Sequence, residues 1–222
     1  MMNPKVLSEI SNNNFKILNS SKDYNSYIEN ADTLLVTLQK ELSENNYSPK
    51  LHQVASISVL ISTLFAYGNP IPYSDSVGCL SQNYKSKKTS NNGGGNYDFQ
   101  LLKENRIGCC TDYAYIMSKF LNFYKYKNRY VLISGHILNE FQVDGKWYMV
   151  DANTGILATK SFTSDKSNFQ IFYLPHFGMM DSPVYRPDLV TFREFMSNVI
   201  CDQKIADGIF IKYIAENEYQ PY

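Results

Sequence analysis

Apolar positions recur at helical spacing over the first part of the chain. Residues 1 to about 48 carry a stripe through Ile28, Leu34, Leu35, Leu38 and Leu42 on a polar background, the pattern of helices buried on one side. Ser48-Pro49 then offers an N-cap followed by proline at the first helical position, where the missing N–H costs nothing. Leu51, Val54, Leu60, Ile61 and Leu64 carry that second helix to a stop expected near Gly68-Asn69-Pro70. The pattern lapses over Ser81 to Asp98, "SQNYKSKKTSNNGGGNYD", which reads as a mobile loop. Helical spacing returns at Tyr113, Ile116, Met117, Phe120, Leu121 and Tyr124, which fall at i, i+3, i+4, i+7, i+8 and i+11 and make one core-facing stripe.

Beyond Tyr124 the period changes from helical to strand-like. Arg129–Ser134, His136–Val143 and Lys146–Asp151 read as strands, the last two joined by Asp144-Gly145, a strong short-range hairpin signal. Phe169–Leu174 is a further strand, a helix opens at Pro187-Asp188, and Gly208–Ile214 is a last strand. Helices followed by a meander of strands predict a single α+β domain over 1–222.

Composition narrows the function classes. Lys and Arg number 21 against 21 Asp and Glu, so no basic field points to nucleic acid or an anionic membrane surface. The opening "MMNPKVLSEISNNNF" has no apolar signal-peptide core. The most apolar run, Val54 to Tyr67, is too short for a bilayer of about 30 Å. A cytoplasmic, reducing location follows as an expectation, with Cys79, Cys109, Cys110 and Cys201 as thiols. No Cys-x-x-Cys spacing occurs and only three histidines are present, so neither a metal nor a cofactor is expected. No Gly-Lys-Ser/Thr follows the glycine run Gly93–Gly95, which speaks against a phosphate loop.

The chemistry-bearing stretch is "RIGCCTDYAYIMSKF", residues 106 to 120. A thiol becomes a working nucleophile when a helix N-terminus and an oriented imidazole lower its pKa. The doublet Cys109-Cys110 lies where the helix over 110–124 begins, and helical periodicity does not choose between its members. The hairpin supplies the remaining groups. With Asp144-Gly145 as a two-residue turn, Val143 pairs with Lys146 and His136 shares a pleat face with Asp151 as a diagonal neighbour, roughly 7–8 Å apart and within side-chain reach. A three-residue loop would put the two on opposite faces. Each group also has a bland reading: the cysteines as small core residues, the histidine as structural, and Asp151 as the start of an Asx-turn in "DANTG". His52 and His176 are rival bases without a carboxylate on a matching strand.

The span Gly108 to Asp151 resembles the transglutaminase-like superfamily, which includes transglutaminases and peptide N-glycanases. "GCCTDYA" fits the family's Gly-x-Cys-x-Asp-x-Ala motif through Gly108, Cys110, Asp112 and Ala114. "HILNEF" fits the histidine motif through His136 and Glu140, and "GKWYMVD" places Trp147 before Asp151. The resemblance implies a papain-like core over 51–175, with a cysteine helix packed on an antiparallel sheet. A helical extension over 1–50 would precede it, and a helix and strand over 176–222 would follow.

The resemblance also implies that Cys110, and not Cys109, is the nucleophile, with His136 as proton shuttle and Asp151 as its orienter. It predicts thiol acyl transfer on a peptide, glutamine or other amide, ending in hydrolysis or transamidation, without a cofactor. One oxyanion donor would be the Cys110 N–H, the second a side chain among Gln82, Asn96, Tyr97 and Gln100, with the loop Ser81–Tyr97 as gate. Leu138 stands where family members often carry an aromatic residue, and no tryptophan precedes the cysteine. The alternative is a fold of this kind kept as an inactive binding module.

Overall fold

The computed structural model describes residues 2–43, 47–64, 99–104, 110–133, 136–159, 170–177, 190, 193–194, 196 and 211–215. The described chain is α+β. Its helices are α1 (Pro4–Ser20), α2 (Tyr24–Asn30), α3 (Asp32–Glu41), α4 (Pro49–Ser62), α5 (Phe99–Glu104) and α6 (Cys110–Phe123). Its strands are β1 (Asn128–Ile133), β2 (His136–Val143), β3 (Lys146–Asp151), β4 (Ile156–Ala158), β5 (Ile171–Tyr173) and β6 (Ile211–Ala215). They form one sheet in the order β5-β4-β3-β2-β1-β6, with every pairing antiparallel.

Local chemistry explains the element boundaries. Asn3 caps α1 by accepting from the Lys5 N–H, Asp23 caps α2 in a reciprocal box with Ser26, and Ser48 caps α4 ahead of Pro49. The α4 helix ends at Ser62, earlier than the Gly68-Asn69-Pro70 stop expected from sequence. The Leu60 carbonyl there accepts from the Thr63 hydroxyl at 2.7 Å and from Asn14 Nδ2 at 3.1 Å, and the Thr63 N–H bonds back only three residues. Thr63 thus closes the end of α4 locally and Asn14 caps it from α1, while Gly68-Asn69-Pro70 lie outside the described residues. Tyr27 in turn donates to Asn14 at 2.8 Å, so one buried polar network ties α1, α2 and the end of α4 together.

The stripe expected on α6 is the core. Ile116, Met117, Phe120 and Leu121 are fully buried, and Phe120 meets Tyr27 edge-on at a centroid distance of 5.8 Å. This core runs from the N-terminal helices through α4 and α6 to Phe141, Val143, Val150 and Leu157 on one face of the sheet. A second cluster of Val131, Ile133, Leu138, Met149, Ile156 and Ala158 covers the other face, with Met196 packed against it. Because both faces are covered, β2 is buried along almost its whole length and its polar residues must find partners inside.

The hairpin has the register predicted from Asp144-Gly145. Val143 pairs with Lys146, Phe141 with Tyr148 and Asn139 with Val150. Asp144 and Gly145 both have positive φ, 51° and 79°, the signature of a type I′ turn. Strand ends moved by a few residues: β5 is Ile171–Tyr173 and β6 is Ile211–Ala215, with 208–210 outside the described residues. Residues Val190, Arg193, Glu194 and Met196 are helical, in keeping with a helix opening before them, though Pro187-Asp188 lie outside the described residues. Strand β4 was not anticipated, because three residues are too few to show alternation. The loop Ser81–Tyr97 lies outside the described residues. No helix among the described residues is long and apolar enough to cross a membrane.

Candidate active site

Two elements deliver the site. Helix α6 starts at Cys110, whose side chain packs with Ala114, Tyr130, Leu132 and Ile137 against one face of the sheet. The hairpin brings His136, the first residue of β2, and Asp151, the last of β3, to the same end of the sheet. Strand alternation assigns these two to the opposite face, so thiol and imidazole meet only because His136 sits at the strand end, where its ring reaches the helix start.

His136 Nε2 lies 2.8 Å from Asp151 Oδ2, and both side chains are buried. The hydrogen bond anticipated from hairpin register is therefore present. With Nε2 engaged by the carboxylate, Nδ1 is the ring nitrogen left to face the Cys110 sulfur, which is a free thiol hydrogen-bonded to the ring. The Ile137 backbone N–H also donates to that sulfur.

Asp151 does more than hold the ring. Its Oδ1 accepts from the Asn153 N–H at 3.0 Å and the Thr154 N–H at 3.4 Å, while Oδ2 also accepts from the Thr154 hydroxyl at 2.7 Å. The Asx-turn and the histidine partner, alternatives at the level of sequence, are the same carboxylate. Thr154 was missed, although Asp-x-x-Thr is a pattern that could have shown it.

Comparison of the chain with protein-family models, curated proteins and solved structures returned no match. The geometry therefore carries the argument by itself.

Burial opposes every charge in this group, and mutual interaction outweighs it. Burial pushes the Cys110 thiol up, but the His136 hydrogen bond and charge, with the Ile137 N–H, bring it below the ordinary thiol value. For His136, burial pulls the pKa down, while the Asp151 charge and hydrogen bond, and then Cys110, drive it up to about 10. For Asp151, burial raises the pKa and His136, Thr154 and Asn153 lower it, for a net fall. The net directions favour the charged form of each group: carboxylate, imidazolium and thiolate.

Linkage gives this chain a pH signature. A raised histidine stabilises the fold fully below its unfolded value of 6.5 and loses that contribution as pH rises through about 10. A lowered thiol contributes above its unfolded value of 9.0 and loses that contribution as pH falls. Where the pH lies above 6.5 and above the lowered thiol value but below 9.0, the folded pair and the unfolded pair each hold one proton, so stability should be flat there. In Cys110→Ala only His136 titrates, and stability should fall as pH rises above 6.5. Urea midpoints across this window check both slopes; a wild type that declines in parallel with the variant would show that no ion pair forms.

The other motif residues have structural places. Glu140 is fully buried and paired with Arg129, whose Nε and Nη2 donate at 2.8 and 2.6 Å to one carboxylate oxygen. The Arg129 guanidinium lies 4.2 Å from the Trp147 ring centroid, so Glu140, Arg129 and Trp147 form one cross-strand cluster behind the hairpin. Asp112 is buried in the first turn of α6, and Ala114 packs beside Cys110.

His52 packs edge-on to Tyr47, and His176 stacks on Tyr113 at 6.0 Å, so each rival histidine has an aromatic partner. Gln100 is exposed on α5. Cys79, Cys109, Cys201, Gln82, Asn96, Tyr97 and Gly108 lie outside the described residues.

Proposed function

We propose that this protein is a thiol acyl-transfer enzyme acting on amide bonds through Cys110, His136 and Asp151. The observation that carries the reading is the His136 Nε2–Asp151 Oδ2 contact of 2.8 Å in a ring that also hydrogen-bonds a thiol at a helix start. In this reading the Cys110 sulfur attacks an amide carbonyl, and a tetrahedral oxyanion forms against the N–H groups at the start of α6. The His136 imidazolium then gives its sulfur-facing proton to the departing amine, leaving a thioester and a neutral ring. Water or a second amine, deprotonated by that ring, attacks the thioester and regenerates the thiol. Asp151 keeps the ring oriented and stabilises its cation throughout.

The helix-on-antiparallel-sheet arrangement and the motifs around Cys110, His136 and Asp151 support a papain-like core of the transglutaminase-like kind. The substrate class is a peptide, a glutamine side chain or a small amide, handled without a cofactor. Exposing the protein to a p-nitrophenyl ester at low temperature and quenching in acid tests the covalent step. The expected result is an acyl mass on the Cys110 peptide, removed by hydroxylamine and absent in Cys110→Ala. Ammonia release from a glutamine peptide, with and without a fluorescent primary amine, then separates hydrolysis from transfer. Acylation at the same rate in Cys110→Ala would overturn the reading.

A further inference from the structure

The turn that Asp151 closes is held from outside by a residue far along the chain. Arg193 Nε donates to the Thr154 carbonyl, 39 residues away, and Nη2 donates to the Leu174 carbonyl at 2.7 Å. Leu174 in turn donates its N–H to the Gly155 carbonyl at 2.8 Å. The guanidinium thus bridges the turn after β3 and the residue after β5, directly behind the carboxylate that holds His136.

Gly155 shows how closely this is built. Its φ is +64°, and a Cβ there would strike Arg193 Nη2 and come within 3.0 Å of the Leu174 carbonyl. A side chain at this position would have to displace the guanidinium and would carry the strain of a left-handed backbone.

We infer that Arg193 is a positioning residue for the triad, fixing the 152–155 turn so that Asp151 presents Oδ2 to His136 while its Oδ1 stays on the turn N–H groups. Two anchors meet at this turn: Asp151 grips it from inside through the Asn153 and Thr154 N–H groups, and Arg193 grips it through the Thr154 carbonyl. Arg193 is also close enough to Asp151 for their charges to interact. Burial pulls the Arg193 pKa down and the Asp151 carboxylate pushes it back up, so the two charges sense each other across the turn. The charged groups facing His136 are Cys110 from α6 and Asp151 from β3, and Arg193 acts on it by holding the turn that carries Asp151. The inference rests on the acyl-transfer reading only in taking this triad as the working site.

The test is the His136 titration followed by NMR, tractable because the chain has three histidines. Arg193→Met removes both bonds, Arg193→Lys keeps one donor for the two carbonyls, and Gly155→Ala puts a Cβ where the guanidinium lies, on a backbone of φ +64°. The expected result is a His136 midpoint lowered by about 1 unit or more in Arg193→Met and in Gly155→Ala, partly restored in Arg193→Lys. A residue that only held the fold would change the melting temperature and leave that midpoint where it was. A raised wild-type midpoint that neither Arg193→Met nor Gly155→Ala moves would overturn the clamp and leave the triad standing. A wild-type midpoint near 6.5 would overturn the ion pair and the clamp together.

Discussion

Asp151→Ala is expected to destabilise the protein by about 3–5 kcal/mol, the cost of stranding one partner of a buried pair. The carboxylate accepts from His136, from the N–H groups of Asn153 and Thr154, and from the Thr154 hydroxyl, and alanine removes all of these acceptors at once. Asp151→Asn separates the two duties of the side chain. An amide has one oxygen for two jobs. Turned toward the turn, that oxygen serves Asn153 and Thr154 but points an NH2 at the imidazole; turned toward the ring, it points the NH2 at two backbone donors. In neither orientation can the imidazolium and the turn both be satisfied. Asn should therefore fold with a smaller loss of stability than Ala yet lose acyl transfer by at least about 10-fold, with about 10⁴-fold as the scale set by serine triads. Urea denaturation and acylation rates, measured on both variants, check the ordering wild type, Asn, Ala in each quantity. Full activity in Asp151→Asn would reduce Asp151 to a turn residue.

His136→Gln should remove the thiolate while leaving the Asp151 turn in place. Cys110 is half-buried against Ala114, Tyr130, Leu132 and Ile137, and without an imidazolium that apolar surround pushes its pKa up instead of down. At pH 6 a thiol of ordinary pKa is ionised to only about 0.3%, against about 3% at the upper end of the activated range of about 3.5–7.5, so the loss of thiolate should be about 10-fold or greater. Far-ultraviolet thiolate absorbance of wild type and variant, each referenced to Cys110→Ala, measures it without any substrate. An unchanged signal in His136→Gln would mean that the start of α6 and the Ile137 N–H suffice by themselves.

The hairpin was legible because two local rules agree there. Asp144-Gly145 dictates a type I′ turn, the turn fixes the register, and the period of two then decides which side chains share a face. From that alone the partnership of His136 and Asp151 could be worked out. The α6 stripe was legible for the same reason, with a helical period in place of a strand period.

What escaped were the features set by distant contacts. The stretch Glu140–Val143 alternates polar and apolar residues as if one face met water, yet Glu140 is fully buried because the cluster containing Met196 covers that face. Neither Glu140's partner Arg129 nor Arg193's hold on Thr154 can be reached from periodicity, since both depend on which strands and helices come together. The early end of α4 depends likewise on Asn14, which lies 46 residues before the Leu60 carbonyl it caps. Asp151 had two readings because its neighbours in sequence and its neighbour across the hairpin both claim it, and the fold satisfies both claims.

The central claim is that Cys110 is a thiolate held by His136 at neutral pH. Its most direct measurement is the rate of carboxamidomethylation of wild-type Cys110 by iodoacetamide against pH, read peptide by peptide in the mass spectrometer with Cys79, Cys109 and Cys201 as internal references. The account predicts a Cys110 profile with a midpoint in the range of about 3.5–7.5 found for activated thiols, well ahead of the other three cysteines. A Cys110 profile that rises with a midpoint near the ordinary thiol value of about 8.5, or preferential labelling of Cys109 at pH 6, would contradict it.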